Sequence, residues 1–319
     1  MVILMLLMGM ILAVTTQTGR LWRSTTSKIA AFQDARAAFD ALTRNLTQAT
    51  LNHYYDYYDS GWNRRDPTNS AFTPANFGRY SDLQFVSGPV DTLFDSSASG
   101  TRQSHSVFFQ APLGRVSDKA SYSQSESLIN ALGYYVEFAD NTASRPKFLQ
   151  GTAGVSQKRF RLMEWMQPSE KFRLYDSALE AADPKGWYTT LTTNNDQCRV
   201  MAENILALII LPQSAQGDTT LAPAYAYDSR PATYDALRSH LLPPQIRITL
   251  VAIDRDSAMR LQARYGDVMP PIYSSGWFKS AASYDADMKQ LEDALQGKTG
   301  GPQVNYRIFT TTITTRDPQ

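Results

Sequence analysis

The side chains best suited to acid–base, nucleophilic or metal chemistry are scattered along this sequence. Its three histidines, His53, His105 and His240, lie far apart, and none has a second histidine at metal-ligand spacing. Cys198 is the only cysteine, so an intramolecular disulfide is impossible and a cysteine-based zinc site is not expected. No histidine lies beside Cys198 in the sequence to activate it as a nucleophile. The pattern predicts packed or solvated side chains rather than a reactive centre.

Acidic residues give two weaker signals. Asp254 and Asp256 follow a predicted strand, where an Asp-x-Asp pair more often forms a turn and caps the next helix than binds a metal. Carboxylates in residues 176–183 and near Asp218 could bind calcium, although the spacing of an EF-hand loop is missing. The sequence contains no G-x-S-x-G, P-loop or G-x-G-x-x-G motif. We therefore predict no catalytic residue, no cofactor and no metal site, and a protein that is not an enzyme.

An aromatic-rich segment, residues 52–79, is the other place where chemistry could occur. Tyr54, Tyr55, Tyr57 and Tyr58 stand there among Gly, Pro, Asn and Asp, and no period holds. One interpretation is an irregular, ordered loop whose aromatics pack on a sheet. The other is stacking on a ligand, as in a membrane-tethered or secreted protein that binds a polysaccharide. The pocket of such a protein would be lined by Tyr54, Tyr57, Trp62 and Trp187.

Composition limits the class of partner. The 319 residues suffice for one large domain or two small ones, and the net charge is only +1. Because no strong positive field is present, we expect no nucleic acid partner. Charged residues make up 19% of the chain, less than the roughly 25% of ordinary soluble domains. Ser, Thr, Asn, Gln and Tyr replace them, which is common on exported surfaces.

The elements that must position these residues are mostly strands. Short runs rich in β-branched and aromatic residues predict strands at 83–86, 106–111, 132–138, 159–166, 245–253 and 306–313. In residues 196–212 the first half could be a short helix, and the second half is predicted to be a buried strand. Helices are predicted at 234–242, 256–265 and 283–296.

The chain starts with an uncharged, apolar run, residues 1–14, that leads into a helix-compatible stretch from residue 19 to about residue 51. At 1.5 Å per residue this run covers roughly 21 Å, short of a hydrocarbon core of about 30 Å. A secretory signal peptide would need a basic region before the run. A buried core helix would suit its length. A membrane helix that has lost its leader and first turns is the third interpretation, which the continuing helical pattern favours.

Beyond that run, apolar side chains recur at helical spacing. Phe32, Phe39, Leu42, Leu46 and Ala49 form a continuous stripe, and most charged residues fall on the other faces. The first four are predicted to pack a stem helix onto the head. The expected domains are a truncated apolar membrane or filament-core segment (1–18), an amphipathic stem helix (19–51) and a strand-rich extracytoplasmic head (52–319). The expected fold is α+β and pilin-like, with a long, partly transmembrane N-terminal helix packed on an antiparallel sheet and with long loop insertions.

Eight stretches of the sequence carry a resemblance to a known family. They are FQDARAAFDALTRNLTQATLNHYYDY (32–57), FGRYSDLQFVSG (77–88), HSVFFQAPLG (105–114), LGYYVEF (132–138), RFRLMEWMQPSE (159–170), AENILALIILP (202–212), AYAYDSR (224–230) and NYRIFTTTITTRD (305–317). Through nearly its whole length the chain resembles the Verru_Chthon cassette protein C family, prepilin-like proteins akin to the minor pseudopilin J of type II secretion systems.

The beginning of the chain departs from that family. Its members start with a short basic leader, a glycine at the cleavage site and a phenylalanine-threonine-leucine-type start closely followed by a glutamate, and none of these occurs here. The resemblance implies that the missing start lies upstream of Met1 in the gene. Prepilin processing and the role of the glutamate are therefore assigned to no residue of this sequence.

The resemblance implies assembly rather than catalysis. The expected protein is a minor component of a type II secretion or type IV pilus-like filament, single-pass in the inner membrane with its head in the periplasm. Its implied partners are other pilin-like subunits and, indirectly, an assembly platform and ATPase. In the filament core, membrane contacts would be replaced by packing between subunits. The residues expected to make those contacts are Ile3, Leu4, Leu6, Leu7, Ile11 and Leu12.

Overall fold

The protein is described here by a computed structural model. It describes residues 8, 32–66, 68–94, 101–118, 120–122, 127–140, 158–176, 185–189, 197–231 and 233–315.

The first element, α1, is an amphipathic helix spanning Gln33–Thr47. Its buried positions recur at intervals of three and four residues, which places them on one face. That face packs against strands at the edges of two different sheets, so α1 covers the seam between them. The opposite face carries Arg36 and Asp40, which form an exposed ion pair one turn apart.

Eleven strands are the main regular secondary structure of the described residues. They are β1 (His53–Tyr58), β2 (Asn76–Ser81), β3 (Val86–Pro89), β4 (Arg102–Pro112), β5 (Ile129–Asp140), β6 (Lys158–Gln167), β7 (Cys198–Glu203), β8 (Ile205–Gln213), β9 (Tyr227–Asp228), β10 (Gln245–Ile253) and β11 (Tyr306–Thr314).

The helices after α1 are short. They are α2 (Val90–Leu93), α3 (Gly186–Thr189), α4 (Arg255–Tyr265) and α5 (Tyr284–Leu295), with single 3₁₀ turns at Ser169–Lys171 and Ala281–Ser283. Asp254 caps α4, because its side chain accepts a 2.8 Å hydrogen bond from the Ser257 amide. The prediction that this Asp-x-Asp pair forms a helix cap is thereby confirmed.

The strands form three antiparallel sheets. The largest has the order β7-β6-β5-β4-β3-β9, the second has the order β11-β10-β8, and β1 and β2 form a separate hairpin. Strand β10 pairs with β11 over its whole length and with β8 on its other side. Every residue of β8 is buried, so the second sheet is covered on both faces at this strand.

Two apolar clusters lie on the two sides of the second sheet. Ile246, Ile248 and Leu250 of β10 belong to the cluster shared with α1 and the large sheet. Val251 and Ile253 belong to the other cluster, which is shared with α4 and α5. Alternate side chains of β10 therefore face two different apolar clusters, rather than one cluster and the solvent.

Several predicted elements are confirmed. The strand predicted at 245–253 is β10, and the strand predicted at 306–313 is β11 extended by one residue. The helix predicted at 256–265 is α4. The helix predicted at 283–296 is α5, followed by Gly297 in a left-handed conformation (φ 76°). Strands β4, β5 and β6 contain the three strands predicted in the middle of the chain.

Other predicted elements are wrong. The short helix proposed for the first half of 196–212 is strand β7, and residues 52–79, predicted as an irregular loop, contain the hairpin β1–β2. The described residues of 234–242 form turns rather than a helix. The strand predicted at 83–86 begins only at its last position, where β3 starts.

The predicted fold class is also wrong. Instead of a pilin-like α+β fold built on one long N-terminal helix, the described residues form mostly β structure in three sheets with few helices. Helix α1 spans 15 residues, and most of the stretch that a longer helix would need lies outside the described residues. Side-chain patterns identified individual strands, but they do not show how strands group into separate sheets.

The predicted location in the inner membrane is corrected as well. Among the residues that the structure describes, no helix has both the length and the apolar character needed to cross a bilayer. The six residues predicted to form a membrane or filament-core helix lie outside the described part of the chain. They are Ile3, Leu4, Leu6, Leu7, Ile11 and Leu12.

Candidate functional surfaces

The first candidate surface is the contact between α1 and the rest of the chain. Phe39, Leu42 and Leu46 are buried in the cluster shared with the large sheet, and Phe32, at the start of α1, is partly buried against it. The Phe39 ring lies 5.8 Å from the Phe309 ring of β11, measured between centroids. The four residues predicted to pack a stem onto the head therefore all contact this cluster.

A buried polar chain also links α1 to the large sheet. The Asn45 amide donates a 2.8 Å hydrogen bond to the Tyr134 hydroxyl, which donates to a Glu164 carboxylate oxygen at 3.3 Å. Glu164 is fully buried, and its other oxygen accepts from Arg199 of β7. Burial, together with the neighbouring Glu164 charge, raises the pKa of Tyr134. Leaving a buried carboxylate without its partners would cost folding free energy. This series of hydrogen bonds therefore holds α1 in one position on the sheet.

The second candidate surface is the β1–β2 hairpin, which divides the four clustered tyrosines between two faces. Tyr55 and Tyr57 are exposed on the outer face, whereas Tyr54 and Tyr58 point toward the rest of the chain. Phe77 of β2 pairs directly with Tyr57 and lies on the outer face as well. The hairpin therefore has an open aromatic side and a packed aromatic side.

The three outer rings contact one another. Tyr55 and Phe77 are stacked with centroids 5.4 Å apart and planes 21° apart, and Tyr57 lies 5.3 Å from Phe77 at 49°. Exposed fractions are 59% for Tyr55, 48% for Tyr57 and 61% for Phe77. Three neighbouring rings exposed to this extent form an apolar patch, a feature that often marks a binding surface.

The inner side of the hairpin is tightly held. Trp62, in the connection between the two strands, stacks on Tyr234 with centroids 3.7 Å apart and planes 6° apart. Trp62 adopts a left-handed conformation (φ 60°), which is uncommon for a bulky residue. Arg64 lies over the Tyr80 ring at 3.9 Å and forms a 2.8 Å ion pair with Asp56. These contacts fix the orientation of the outer rings.

A cavity of about 330 Å³ opens beside the outer rings. It is lined by Tyr57, Arg65, Asp66, Asn69, Phe72 and Pro74. Only Tyr57 of the four pocket residues predicted from the sequence takes part. Tyr54 donates to Asp82 on the inner side at 3.1 Å, and burial with the Asp82 charge raises its pKa to about 12. Trp62 stacks on Tyr234, and Trp187 is buried and donates to Gln84 at 2.8 Å.

The histidines occupy separate places. His105 is buried in β4, where its Nδ1 accepts from the Ile210 amide at 3.1 Å and its Nε2 lies 3.2 Å from the Phe278 carbonyl oxygen. His240 Nδ1 accepts from the Ser81 amide at 3.1 Å. Burial is the main cause that lowers the pKa of each of these two rings to about 4. His53 lies partly buried in β1.

The remaining residues that could do chemistry also have local roles. Cys198 lies partly buried in β7, where the Tyr135 hydroxyl is 3.5 Å from its sulfur and burial raises the pKa of the thiol. A raised pKa reduces the thiolate fraction that a nucleophile needs. Asp218 accepts hydrogen bonds from Thr220 in a turn. In the part of the chain that the structure describes, no three His, Cys, Asp or Glu side chains are grouped as metal ligands.

The outer face of the hairpin is not evident from the sequence alone. Tyr55 and Tyr57 are two residues apart, and Phe77 and Arg79 are also two apart, so the sequence shows that each pair would lie on one face of a strand. The sequence does not show the register that pairs Tyr57 with Phe77 and Tyr55 with Arg79, because the connection between the strands is long and contains no tight-turn signal.

Comparison of the chain with protein-family models, with curated proteins and with solved structures finds no match.

Proposed function

We propose that the chain is a non-enzymatic subunit of a pseudopilin-type assembly, in which the apolar residues 1–14 contact other subunits. The observation that carries this role is the docking of α1 on the head through Phe39, Leu42 and Leu46. At the start of α1, Gln33 and Asp34 are exposed, so the chain enters this helix from the surface of the head. The residues ahead of α1 are thus joined to the head by a helix whose apolar face is buried in the core.

Two further features support an assembly role. Residues 1–14 contain no charged side chain, so their association with equivalent segments of other subunits would remove apolar surface from water. The resemblance stated from the sequence extends over α1 and most of the head, and it adds an assembly platform and an ATPase as indirect partners. The β-rich fold lends no support of its own, because it differs from the fold that the resemblance implies.

Site-directed crosslinking tests the proposed contact. In a Cys198→Ser background, which removes the only cysteine, Leu7→Cys in the full chain should form a disulfide-linked dimer on mild oxidation. The control is Leu237→Cys in the same background, since Leu237 is an exposed apolar residue of the head. Crosslinking of the Leu7 variant no greater than that of the Leu237 variant would contradict the proposed contact.

A further inference from the structure

The outer face of the β1–β2 hairpin carries an arginine at each end of its three exposed rings. Arg79 is the direct cross-strand partner of Tyr55, so the two side chains project from the same face. The backbone amide of Arg65 donates a 2.9 Å hydrogen bond to the Tyr57 carbonyl oxygen. Arg65 also lines the adjacent cavity. Arg79 and Tyr55 therefore form one cross-strand pair, Phe77 and Tyr57 form the next pair on the same face, and Arg65 lies beside Tyr57.

The two arginines differ from most of the charged groups around them. Among the described residues, neither the Arg65 nor the Arg79 side chain forms a hydrogen bond or an ion pair, whereas the nearby Arg64 is paired with Asp56, which also attracts the Arg65 charge from a longer distance. A guanidinium that forms no hydrogen bond within the protein retains its five donors for a ligand, and it matches a carboxylate in a two-bond fork. The surface therefore offers two cations to a ligand that also covers the rings.

The cavity beside Tyr57 adds neutral and acidic groups suited to hydroxyls. Asn69 provides an amide that can donate and accept, and the exposed Asp66 carboxylate accepts hydrogen bonds from Thr68 within its own turn. Rings provide flat apolar faces with negative charge above them, which favours contact with the C–H groups of a sugar ring. Rings, hydroxyl-binding groups and cations thus lie side by side.

We infer that this face is a binding site for an acidic polysaccharide, with sugar rings packed on Tyr55, Phe77 and Tyr57. The sugar carboxylates pair with Arg79 at one end and Arg65 at the other. The inner stack of Trp62 on Tyr234 holds the platform rigid, so little ordering is needed when the ligand binds. This site is independent of the assembly role proposed above.

Single-stranded nucleic acid is the other ligand that combines stacking with negative charge. A nucleic acid strand carries one phosphate per nucleotide, and its binding proteins provide a basic stripe to follow it. Here the exposed Asp66 lies next to Arg65, and the whole chain has a net charge of only +1. Charge complementarity therefore favours the sparser carboxylates of an acidic polysaccharide.

Calorimetric titration of the full chain tests the ligand class. The probes are hexagalacturonate and hexaguluronate, compared with neutral cellohexaose and with a dodecathymidylate strand. We expect at least one acidic hexasaccharide to bind tenfold or more tightly than cellohexaose, with an affinity that falls as salt is added. Tighter binding of the thymidylate, or equal or absent binding of all the sugars, would overturn the inference.

Variants test the location. Tyr55→Ala and Phe77→Ala should each weaken binding of the acidic hexasaccharide at least tenfold, and Arg79→Gln should reduce the preference for acidic over neutral sugar. Tyr175→Ala is the matched control, because Tyr175 is an equally exposed tyrosine outside the hairpin. Thermal unfolding of each variant confirms that the head is folded. Unchanged binding by both folded ring variants would place the site elsewhere and overturn the inference.

Discussion

The buried histidines His105 and His240 form hydrogen bonds with backbone groups. His105 illustrates this, since one ring nitrogen accepts from the Ile210 amide and the other faces the Phe278 carbonyl oxygen. Both contacts are available to the neutral ring, whereas burial penalises the charged form. Burial therefore lowers the pKa of His105 from 6.5 to about 4.

This shift predicts a dependence of stability on pH. Between pH 6.5 and about 4 the unfolded chain binds a proton at His105 that the folded chain does not bind. The free energy of unfolding should therefore fall as the pH is lowered through this window, and His105 should contribute no further loss below it. The expected loss of unfolding free energy from His105 across this pH window is about 3 kcal/mol, since one pKa unit corresponds to about 1.4 kcal/mol.

Urea unfolding at several pH values measures the effect. The variant His105→Gln keeps an acceptor and a donor but does not titrate, so its curve of unfolding free energy against pH should be flatter than that of the wild type. The pKa of His240 is similarly lowered, so His240 should contribute its own pH-dependent loss of unfolding free energy in both the wild type and the variant. Parallel curves for the wild type and the variant would contradict the prediction.

Single-residue features were predictable where the chemistry is local. The cap at Asp254 followed from its position at a strand end, because a carboxylate three residues before an amide is all that the cap requires. The arginines that flank the exposed rings were not predictable. Arg79 lies beside Tyr55 only because β1 and β2 pair across the 17 residues that connect them, and no local pattern encodes that pairing.

At the scale of elements, the contact of α1 with the head carries the next prediction. Phe39→Asp should loosen α1, because it removes an apolar side chain whose burial contributes about 1.5–3 kcal/mol and places a charge among apolar groups. Faster cleavage after α1 in limited proteolysis would report the loosening. Ala37→Asp, on the exposed face of the same helix, is the control. A Phe39 variant as resistant as the wild type would contradict the prediction.

Elements were predictable when one side-chain period dominated. Strand β10 alternates apolar residues with Arg247 and Thr249, and its bounds were predicted correctly. Strand β1 shows no such alternation, because tyrosines point to both faces of the hairpin. Strand β7 is an edge strand with a mixed burial pattern, and its pairing with β6 under α1 overrides a sequence that also suits a helix.

At the scale of the whole molecule, the second sheet determines the architecture. It lies between two apolar clusters, with α1 and the large sheet on one side and α4 and α5 on the other. The apolar run of β8 was correctly predicted to be a buried strand. That run does not reveal that its two faces belong to different clusters, so the grouping of strands and hence the fold class were predicted wrongly.

Under the proposed assembly role, residues 1–14 hold subunits together while α1 holds the head. Sedimentation velocity of the full chain measures this association, with the double substitution Ile3→Asp and Leu7→Asp compared with Leu237→Asp on the head surface. We predict that the wild type and the Leu237 variant sediment as oligomers and that the double variant sediments as a monomer with unchanged thermal unfolding. A double variant that sediments like the wild type, or a monomeric wild type, would contradict the assembly role.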